Sequence, residues 1–432
     1  MAVVLMAMVA AGTPAQAAPG DDPGPLTTIT SASDLAKLTL TQHQVLPTTI
    51  SKLGTHLDSV GVDEVLQSAN HTMRNRSACR ATETGALPVQ PAASNAYCWD
   101  TGDDTTREFL PQGLTSSGDA DDDGMWGTNK VIISAWAHND SHDYSWPEED
   151  GHLARFAFID ANNSSAFKYR WVLPVIPTEG GDNFAKFGSH VGGVVWFGDK
   201  LLVTAYNTDG SHNALYVFSM AHILQASVNA HEIGKVSGGY SAHGYQYIMP
   251  AIGSYSLDAD CDPNTSDNLP CFASITLDRT TSPPTIVANE WFSSGGSTPA
   301  RIFRYKLAAP GGEMPLVTSG DKATTSAAFR TKAVGLQSVL AHDNVFYAND
   351  ARGGRGQHGI LWQLRNSTTT WRGCSGTDSE KACWAQHAEG ASLWWSTQQM
   401  WSQTEWAADA DSHWIGDPIP ERVLFSVPLN GF

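Results

Sequence analysis

The sequence predicts an all-β protein, a five-bladed β-propeller with a partly helical N-terminal arm or cap. A short β-rich string recurs five times, and each copy lies between two further recurring apolar strings. A small residue opens each upstream string, as expected where backbones crowd together around a central axis. A sandwich or a β-solenoid also contains tandem antiparallel units, but solenoid coils are shorter and more regular than these.

The chain begins with an apolar run followed by small residues, which predicts a secretory signal peptide over residues 1–18, cleaved near Ala17 or Ala18. No later stretch reaches the roughly 18 apolar residues that a membrane-spanning helix needs. We therefore expect a secreted, extracellular monomer without a transmembrane segment.

Residues 19–110 lack the repeat and form the predicted arm or cap, with a disulfide loop. Helical spacing of Leu35 and Leu38, and later of Val62, Val65 and Leu66, predicts short helices that pack on the side or edge of the propeller.

Residues 111–432 carry the five repeats. β-branched and aromatic residues dominate the central strings and predict strands, at 131–136, 201–206, 286–291, 345–350 and 401–406. The upstream strings open at Gly113, Gly193, Ala273, Gly335 and Gly390, and the downstream strings run from 153, 215, 301, 360 and 423. Three strands per unit are thus predicted, whereas a fourth, outer strand is clear only at 167–175.

Charge excludes one class of partner. The chain has 26 Lys and Arg against 44 Asp and Glu, a net charge of −18. Such a charge repels phosphate backbones, so nucleic acid is not expected as a partner. Neutral sugars, cations and basic proteins remain compatible.

Six cysteines occur as three close pairs without zinc-site spacing. In an exported chain this pattern favours local disulfides, although sequence alone leaves other pairings open. The predicted pairs are Cys79 with Cys98, Cys261 with Cys271, and Cys374 with Cys383.

Antiparallel strands place the connections between second and third strands on one face, which we call the top face, together with the starts of the first strands. Trp146 and Trp414 fall in these connections and are predicted to stack on sugar rings. Trp136, Trp291 and Trp406 fall within strands, and we expect them to pack between units.

The segment 119–124 matches the first half of a calcium-binding EF-hand loop, with Asp119, Asp121 and Asp123 as candidate ligands. Lys130 occupies the place of the closing glutamate, which excludes an EF-hand. A structural calcium, the one cofactor considered, would then lie on the opposite, bottom face; a plain acidic turn is the alternative.

Two glutamates stand out within the repeat. The fifth position of the central string is small or neutral in three units but is Glu290 and Glu405 in the others. Together with Glu389 they are candidate catalytic carboxyls, since glycosidic-bond hydrolysis needs two placed carboxyls. Units three and five are not neighbours, which weakens a pairing of Glu290 with Glu405.

Residues just before the first strands should surround the mouth of the central channel. Gln112 and Glu389 occupy matching places, as do His190 and His387. Gln112 and the two histidines are therefore candidate ligand-binding residues. Imidazole and carboxylate together bind metals or shuttle protons.

The chain lacks a serine-elbow, zincin, Walker or dinucleotide-binding motif. Residues 111–113 and 389–406 resemble secreted five-bladed propeller proteins of filamentous soil bacteria without an assigned role, a resemblance that spans roughly residues 108–432 and implies no catalytic residue. We expect recognition of an extracellular carbohydrate, cell-envelope polymer or protein through the top face. A glycoside hydrolase or polysaccharide lyase at that face is the alternative, and a structural envelope protein is the third.

Overall fold

The computed structural model describes residues 22–139, 151–205, 212–261, 268–292, 299–351, 356–371, 374, 382–407 and 417–432. Within these ranges the protein is mostly β. None of the helices found there is long and apolar enough to cross a membrane.

Short elements make up the N-terminal segment, residues 22–108. In chain order they are β1 (Thr27–Thr28), α1 (Ala32–Ala36), β2 (Leu40–Gln44), α2 (Pro47–Leu53), β3 (Asp58–Val60), α3 (Val62–Gln67), β4 (His71–Thr72), β5 (Arg74–Asn75), a 3-10 turn (Arg76–Ala78), α4 (Ala81–Gly85) and β6 (Asn95–Cys98). The helices are short.

The repeated region begins with two units that share one sheet. Unit 1 and the elements after it are β7 (Phe109–Ser116), α5 (Ser117–Ala120), β8 (Val131–His138), β9 (Ala154–Asp160), β10 (Lys168–Pro177), a 3-10 turn (Glu179–Gly181) and β11 (Phe184–Lys186). Unit 2 comprises β12 (Val194–Phe197), β13 (Lys200–Thr204), β14 (Asn213–Ser219) and, after the insertion β15 (Ile223–Gln225), β16 (Ile233–Val236) and β17 (Gly239–Ala242), β18 (Tyr247–Ser256). Parallel pairing of the outer strands β10 and β18 joins the two units.

The remaining units are antiparallel sheets. Unit 3 comprises β19 (Ser274–Asp278), β20 (Thr285–Asn289), β21 (Ala300–Lys306) and, after β22 (Lys322–Ala323), β23 (Thr325–Thr331); unit 4 comprises β24 (Leu336–His342), β25 (Val345–Asp350), β26 (Ile360–Leu364) and β27 (Thr369–Trp371); unit 5 comprises β28 (Ala388–Trp394), β29 (Gln399–Thr404) and β30 (Val423–Pro428), and a 3-10 turn (Leu429–Gly431) follows it. In unit 5 the fourth strand is β6, which comes from the N-terminal segment.

All three predicted strands of each unit are confirmed, within a few residues at their ends. The outer strands, of which the sequence predicted one, are β10, β18, β23, β27 and β6. β27 is only three residues long, and β6 lies more than 300 residues before its partner, so neither has a local sequence signal.

The innermost strands, β7, β12, β19, β24 and β28, contact one another in sequence order, and β28 contacts β7 to complete the circuit. Glycines permit these approaches. A Cβ added to Gly113 would lie 2.6 Å from the carbonyl oxygen of Val191, and one on Gly390, whose φ is +58°, would lie 2.8 Å from that of Gln112.

Apolar side chains fill the spaces between consecutive units in five clusters. Between units 1 and 2, for example, Val131 packs in one cluster with Trp196, and between units 5 and 1 Trp401 packs in one cluster with Trp136. Both faces of most strands are therefore buried, which explains why they are nearly continuously apolar instead of alternating.

The N-terminal segment follows the outer edges of the units around the whole circuit. The backbone N–H of Leu26 donates to Arg365 of unit 4; β1 pairs with β23 of unit 3, β2 with β18 of unit 2, β4 with β10 of unit 1, and β6 with β30 of unit 5. This path covers sheet edges that would otherwise expose unpaired backbone groups.

Candidate functional site

A polar group lies where the last unit meets the first, on the top face. Gln112, near the start of β7, donates from Nε2 to the Glu405 carboxylate at 2.7 Å. The Trp406 indole donates to the other carboxylate oxygen at 3.0 Å. Glu405 is half-buried, directly after β29. Burial raises the pKa of its carboxyl to about 7, against the hydrogen bond from Gln112.

Glu389, in β28, brings a second carboxyl into this group. Its side chain is 1% exposed, and its Oε1 is buried without a hydrogen-bond partner among the described residues. Burial, followed by the neighbouring charge of Glu405, holds the pKa of Glu389 well above its usual value. In the absence of a bound cation, the carboxyl of Glu389 is therefore protonated at neutral pH.

Backbone irregularities aim these side chains. The pairing register shifts between Pro111 and Leu114 in β7, and between Glu389 and Ser392 in β28. Bulges of this kind bend a strand and redirect its side chains. Gln112 and Glu389 thus each lie where the innermost strand departs from regular pairing.

His387 and Trp406 form an aromatic pair beside the carboxyls. Their rings stack with centroids 3.3 Å apart, and the His387 carbonyl accepts a hydrogen bond from the Glu405 backbone N–H. His387 has a φ of +40°, a conformation that costs free energy outside glycine. Trp406 is half-buried and keeps part of its indole at the surface.

Arg422, just before β30, was not among the predicted residues. Its Nε donates to the Glu405 carbonyl at 2.6 Å, and its Nη1 donates to the Asp103 carbonyl at 2.9 Å. Its side chain is fully buried, and burial lowers the pKa of Arg422 to about 9. The guanidinium therefore binds backbone oxygens and leaves the Glu405 carboxylate to Gln112 and Trp406.

A sequence signal for Arg422 exists. Buried arginines at or just before the third strand occur in three units, as Arg155, Arg301 and Arg422. Arg155 pairs with Asp103 at 3.0 Å and lies over the aromatic ring of Trp171. The recurrence is visible once the third strands are aligned.

Glu290 lies apart from this group, in unit 3, and is engaged by Arg301. Arg301 Nη2 and Nε donate to the Glu290 carboxylate at 2.6 and 2.9 Å, and both side chains are 1% exposed. Unit 3 thus has an ion pair where unit 5 leaves its carboxylate to neutral donors. Among the three predicted catalytic glutamates, the structure brings together Glu389 and Glu405.

Asp119, Asp121 and Asp123 do not converge. The Asp119 carboxylate is buried and accepts hydrogen bonds from Thr115, Ser392 and Trp395. Asp121 and Asp123 are exposed. The prediction of a converging calcium loop is therefore wrong in this geometry, because three protein donors bind the Asp119 carboxylate.

Other predicted residues are distributed as follows. His190 is exposed and precedes Val191, whose carbonyl accepts a hydrogen bond from Gly113 at the junction of units 1 and 2. Trp146 and Trp414 lie outside the described residues. Trp136 is fully buried, as expected, whereas the expectation of packing is wrong for Trp291, which is 43% exposed.

The three predicted disulfides, Cys79 with Cys98, Cys261 with Cys271 and Cys374 with Cys383, are confirmed. Within the described ranges, one cluster of three cysteine, histidine or carboxylate side chains has ligand atoms within 4.8 Å of one another: Cys79, Glu83 and Cys98. Because its two sulfurs are joined in a disulfide, we assign no metal there.

Comparison with known proteins adds no relative to this picture. No protein-family model matches the chain, and no curated protein matches it.

Proposed function

We propose that the five sheet units form a five-bladed β-propeller and that its top face binds a neutral extracellular glycan. The observation that carries the proposal is the group formed by Glu405, Gln112 and the half-buried Trp406 at the junction of units 5 and 1. Sugar recognition combines an apolar surface for stacking with a few placed polar groups. This group supplies both.

The propeller assignment is supported by the closed circuit of innermost strands and by a hydrophobic cluster between each pair of consecutive units. In a propeller, loops at one end of the sheets surround the central axis and commonly carry the binding site. The Glu405 group occupies this end.

A neutral extracellular ligand is supported by charge and by cysteine chemistry. A net charge of −18 disfavours polyanions, and three disulfides are typical of proteins in oxidising compartments. Secretion is part of the proposal.

Glycoside hydrolysis at this face has weaker support. Hydrolysis needs two carboxyls that flank the scissile bond, and both must reach the sugar. Glu389 is 1% exposed, and Glu290 is bound by Arg301 in another unit. Binding by Glu405 and Trp406 requires no movement of either.

The test is a panel of neutral and acidic polysaccharides, scored for binding and for release of reducing ends or unsaturated products. We expect saturable binding of a neutral glycan without product release. Trp406→Ala should weaken binding about tenfold through loss of stacking. Trp291→Ala is the matched control, because Trp291 is exposed on the same face but its neighbour Glu290 is bound by Arg301.

Failure of the wild-type protein to bind any neutral glycan would overturn the proposal. Equal losses in the Trp406 and Trp291 variants would also contradict it, because the Glu405 group would then not define the site. Product release by the wild-type protein would replace recognition with catalysis.

A further inference from the structure

Glu389 has an unusual environment for a buried carboxyl. Its Oε1 has no hydrogen-bond partner among the described residues, although the side chain is 1% exposed. An unpaired buried polar atom costs on the order of 1–3 kcal/mol, and a buried charge costs more. Native structures keep such a group where a ligand, an ion or a proton completes it.

Donors around Glu389 bind other groups. Gln112 Nε2 and Trp406 Nε1 both donate to the Glu405 carboxylate. Arg422 Nε and Nη1 donate to the carbonyl oxygens of Glu405 and Asp103. Two carboxyl groups therefore repel each other in a buried place, and no described guanidinium binds either carboxylate directly.

Unit 3 illustrates the usual solution. There the buried Glu290 carboxylate receives both Nε and Nη2 of Arg301, together with a backbone N–H. In unit 5 the corresponding arginine binds backbone oxygens instead. The positive charge that balances Glu290 is thus absent from direct contact with Glu389 and Glu405.

We propose that Glu389 and Glu405, with the side-chain oxygen of Gln112, bind one hard divalent cation, with calcium as the best fit. All three candidate ligand atoms are oxygens, which suit calcium, magnesium and manganese rather than softer ions. Calcium accepts irregular geometry and mixes of carboxylate, amide and water oxygens, whereas magnesium requires a near-octahedral arrangement. A bound cation would replace repulsion between the two carboxylates by attraction to a shared charge.

This cation site does not depend on the glycan proposal, since its binding is measured in the absence of sugar. It differs also from the acidic loop at Asp119, Asp121 and Asp123, which lies at the other end of unit 1, between β7 and β8. The two candidate locations can therefore be separated by substitution.

The experiment uses the disulfide-bonded chain without its signal peptide, treated with EDTA and dialysed. Calcium, magnesium and manganese chlorides are titrated separately by isothermal calorimetry and by thermal denaturation. We expect one calcium ion per chain, a saturable rise in Tm, and weaker binding of magnesium. Glu389→Gln and Glu405→Gln should each weaken calcium binding at least tenfold, while the double variant Asp121→Asn/Asp123→Asn should bind as the wild type does.

Absence of saturable binding to the wild-type chain would refute the cation site. Loss of binding in the Asp121/Asp123 variant with retention in Glu389→Gln would place the ion in the acidic loop instead and also refute it. Both glutamine variants keep the shape of the side chain, and near-ultraviolet circular dichroism verifies their fold. If one variant does not fold, the other decides the outcome.

Discussion

The side-chain amide of Gln112, in the first sheet unit, donates a 2.7 Å hydrogen bond to the carboxylate of Glu405, in the last. The two residues are 293 positions apart in the chain. The bond joins the units that contain the first and last repeats at the same place where the candidate binding group lies. Closure of the circuit and formation of the site are therefore coupled.

The first prediction concerns this bond. Gln112→Ala should lower the free energy of unfolding by about 1–3 kcal/mol, because the half-buried Glu405 carboxylate loses its amide donor. Urea denaturation of both proteins measures the difference. Gln67→Ala, at the exposed end of α3, is the control and should change stability by less than about 0.5 kcal/mol. Equal effects of the two substitutions would show that the hydrogen bond adds no stability.

The second prediction compares two glutamates that are both 1% exposed. In EDTA, Glu389→Gln should raise the free energy of unfolding by about 1–2 kcal/mol, since it removes a buried carboxyl repelled by Glu405. Glu290→Gln should lower it by about 3–5 kcal/mol, because Arg301 would keep a buried charge without its partner.

Thermal and urea denaturation in the same buffer measure both effects. Their opposite signs are the essential result. If Glu389→Gln destabilised the protein as much as Glu290→Gln, the carboxyl of Glu389 would have a stabilising partner in solution.

The third prediction tests the close approach of β28 to β7. Gly390→Ala should destabilise the protein by several kcal/mol, because its Cβ would lie 2.8 Å from the Gln112 carbonyl oxygen and from the Leu114 backbone nitrogen. Gly320→Ala is the matched control. Gly320 also has a positive φ, of +65°, but no atom lies within 4 Å of its added Cβ, so about 1–2 kcal/mol of backbone strain is expected. Comparable losses in urea denaturation would mean that backbone conformation, rather than crowding, determines the requirement for glycine.

The fourth prediction concerns pH. Burial raises the pKa of Asp119 from 3.8 to about 6, against hydrogen bonds from Ser392 and Thr115. The folded state therefore holds its proton more tightly than the unfolded state does, so this contribution to stability is present below pH 4 and is lost as pH rises to 6. The loss should be about 3 kcal/mol.

Chemical denaturation of the wild type and of Asp119→Asn at pH 4, 5, 6 and 7 measures this contribution. The difference between the two proteins should change across pH 4 to 6 and stay constant between 6.5 and 7.5. A difference that does not vary with pH would show that Asp119 has an ordinary pKa in the folded protein.

The candidate site was predictable in its members but not in its grouping. Gln112, Glu389 and Glu405 each occupy an unusual or matching place in the repeat, so alignment of the units found them. Glu290 occupies the same place as Glu405, yet Arg301 binds it. Which glutamate stays available depends on where a guanidinium points, and the repeat pattern does not encode that direction.

Some structural features had no local signal. The outer strand β6 forms because Asn95–Cys98 pairs with β30, far along the chain. Trp291 has the composition and position of a packing residue, but it follows β20 and emerges at the surface. Such outcomes depend on contacts between distant segments, which composition and periodicity do not report.

The sequence by itself determined the β class, the three inner strands of each unit and the pairing of the cysteines, because side-chain pattern, turn residues and short spacing are local properties. Tertiary structure alone decided the path of the N-terminal segment and the meeting of Gln112 with Glu405 and Glu389. These contacts form when distant units approach one another, where burial and charge repulsion give the carboxyls properties that neither has in the isolated chain.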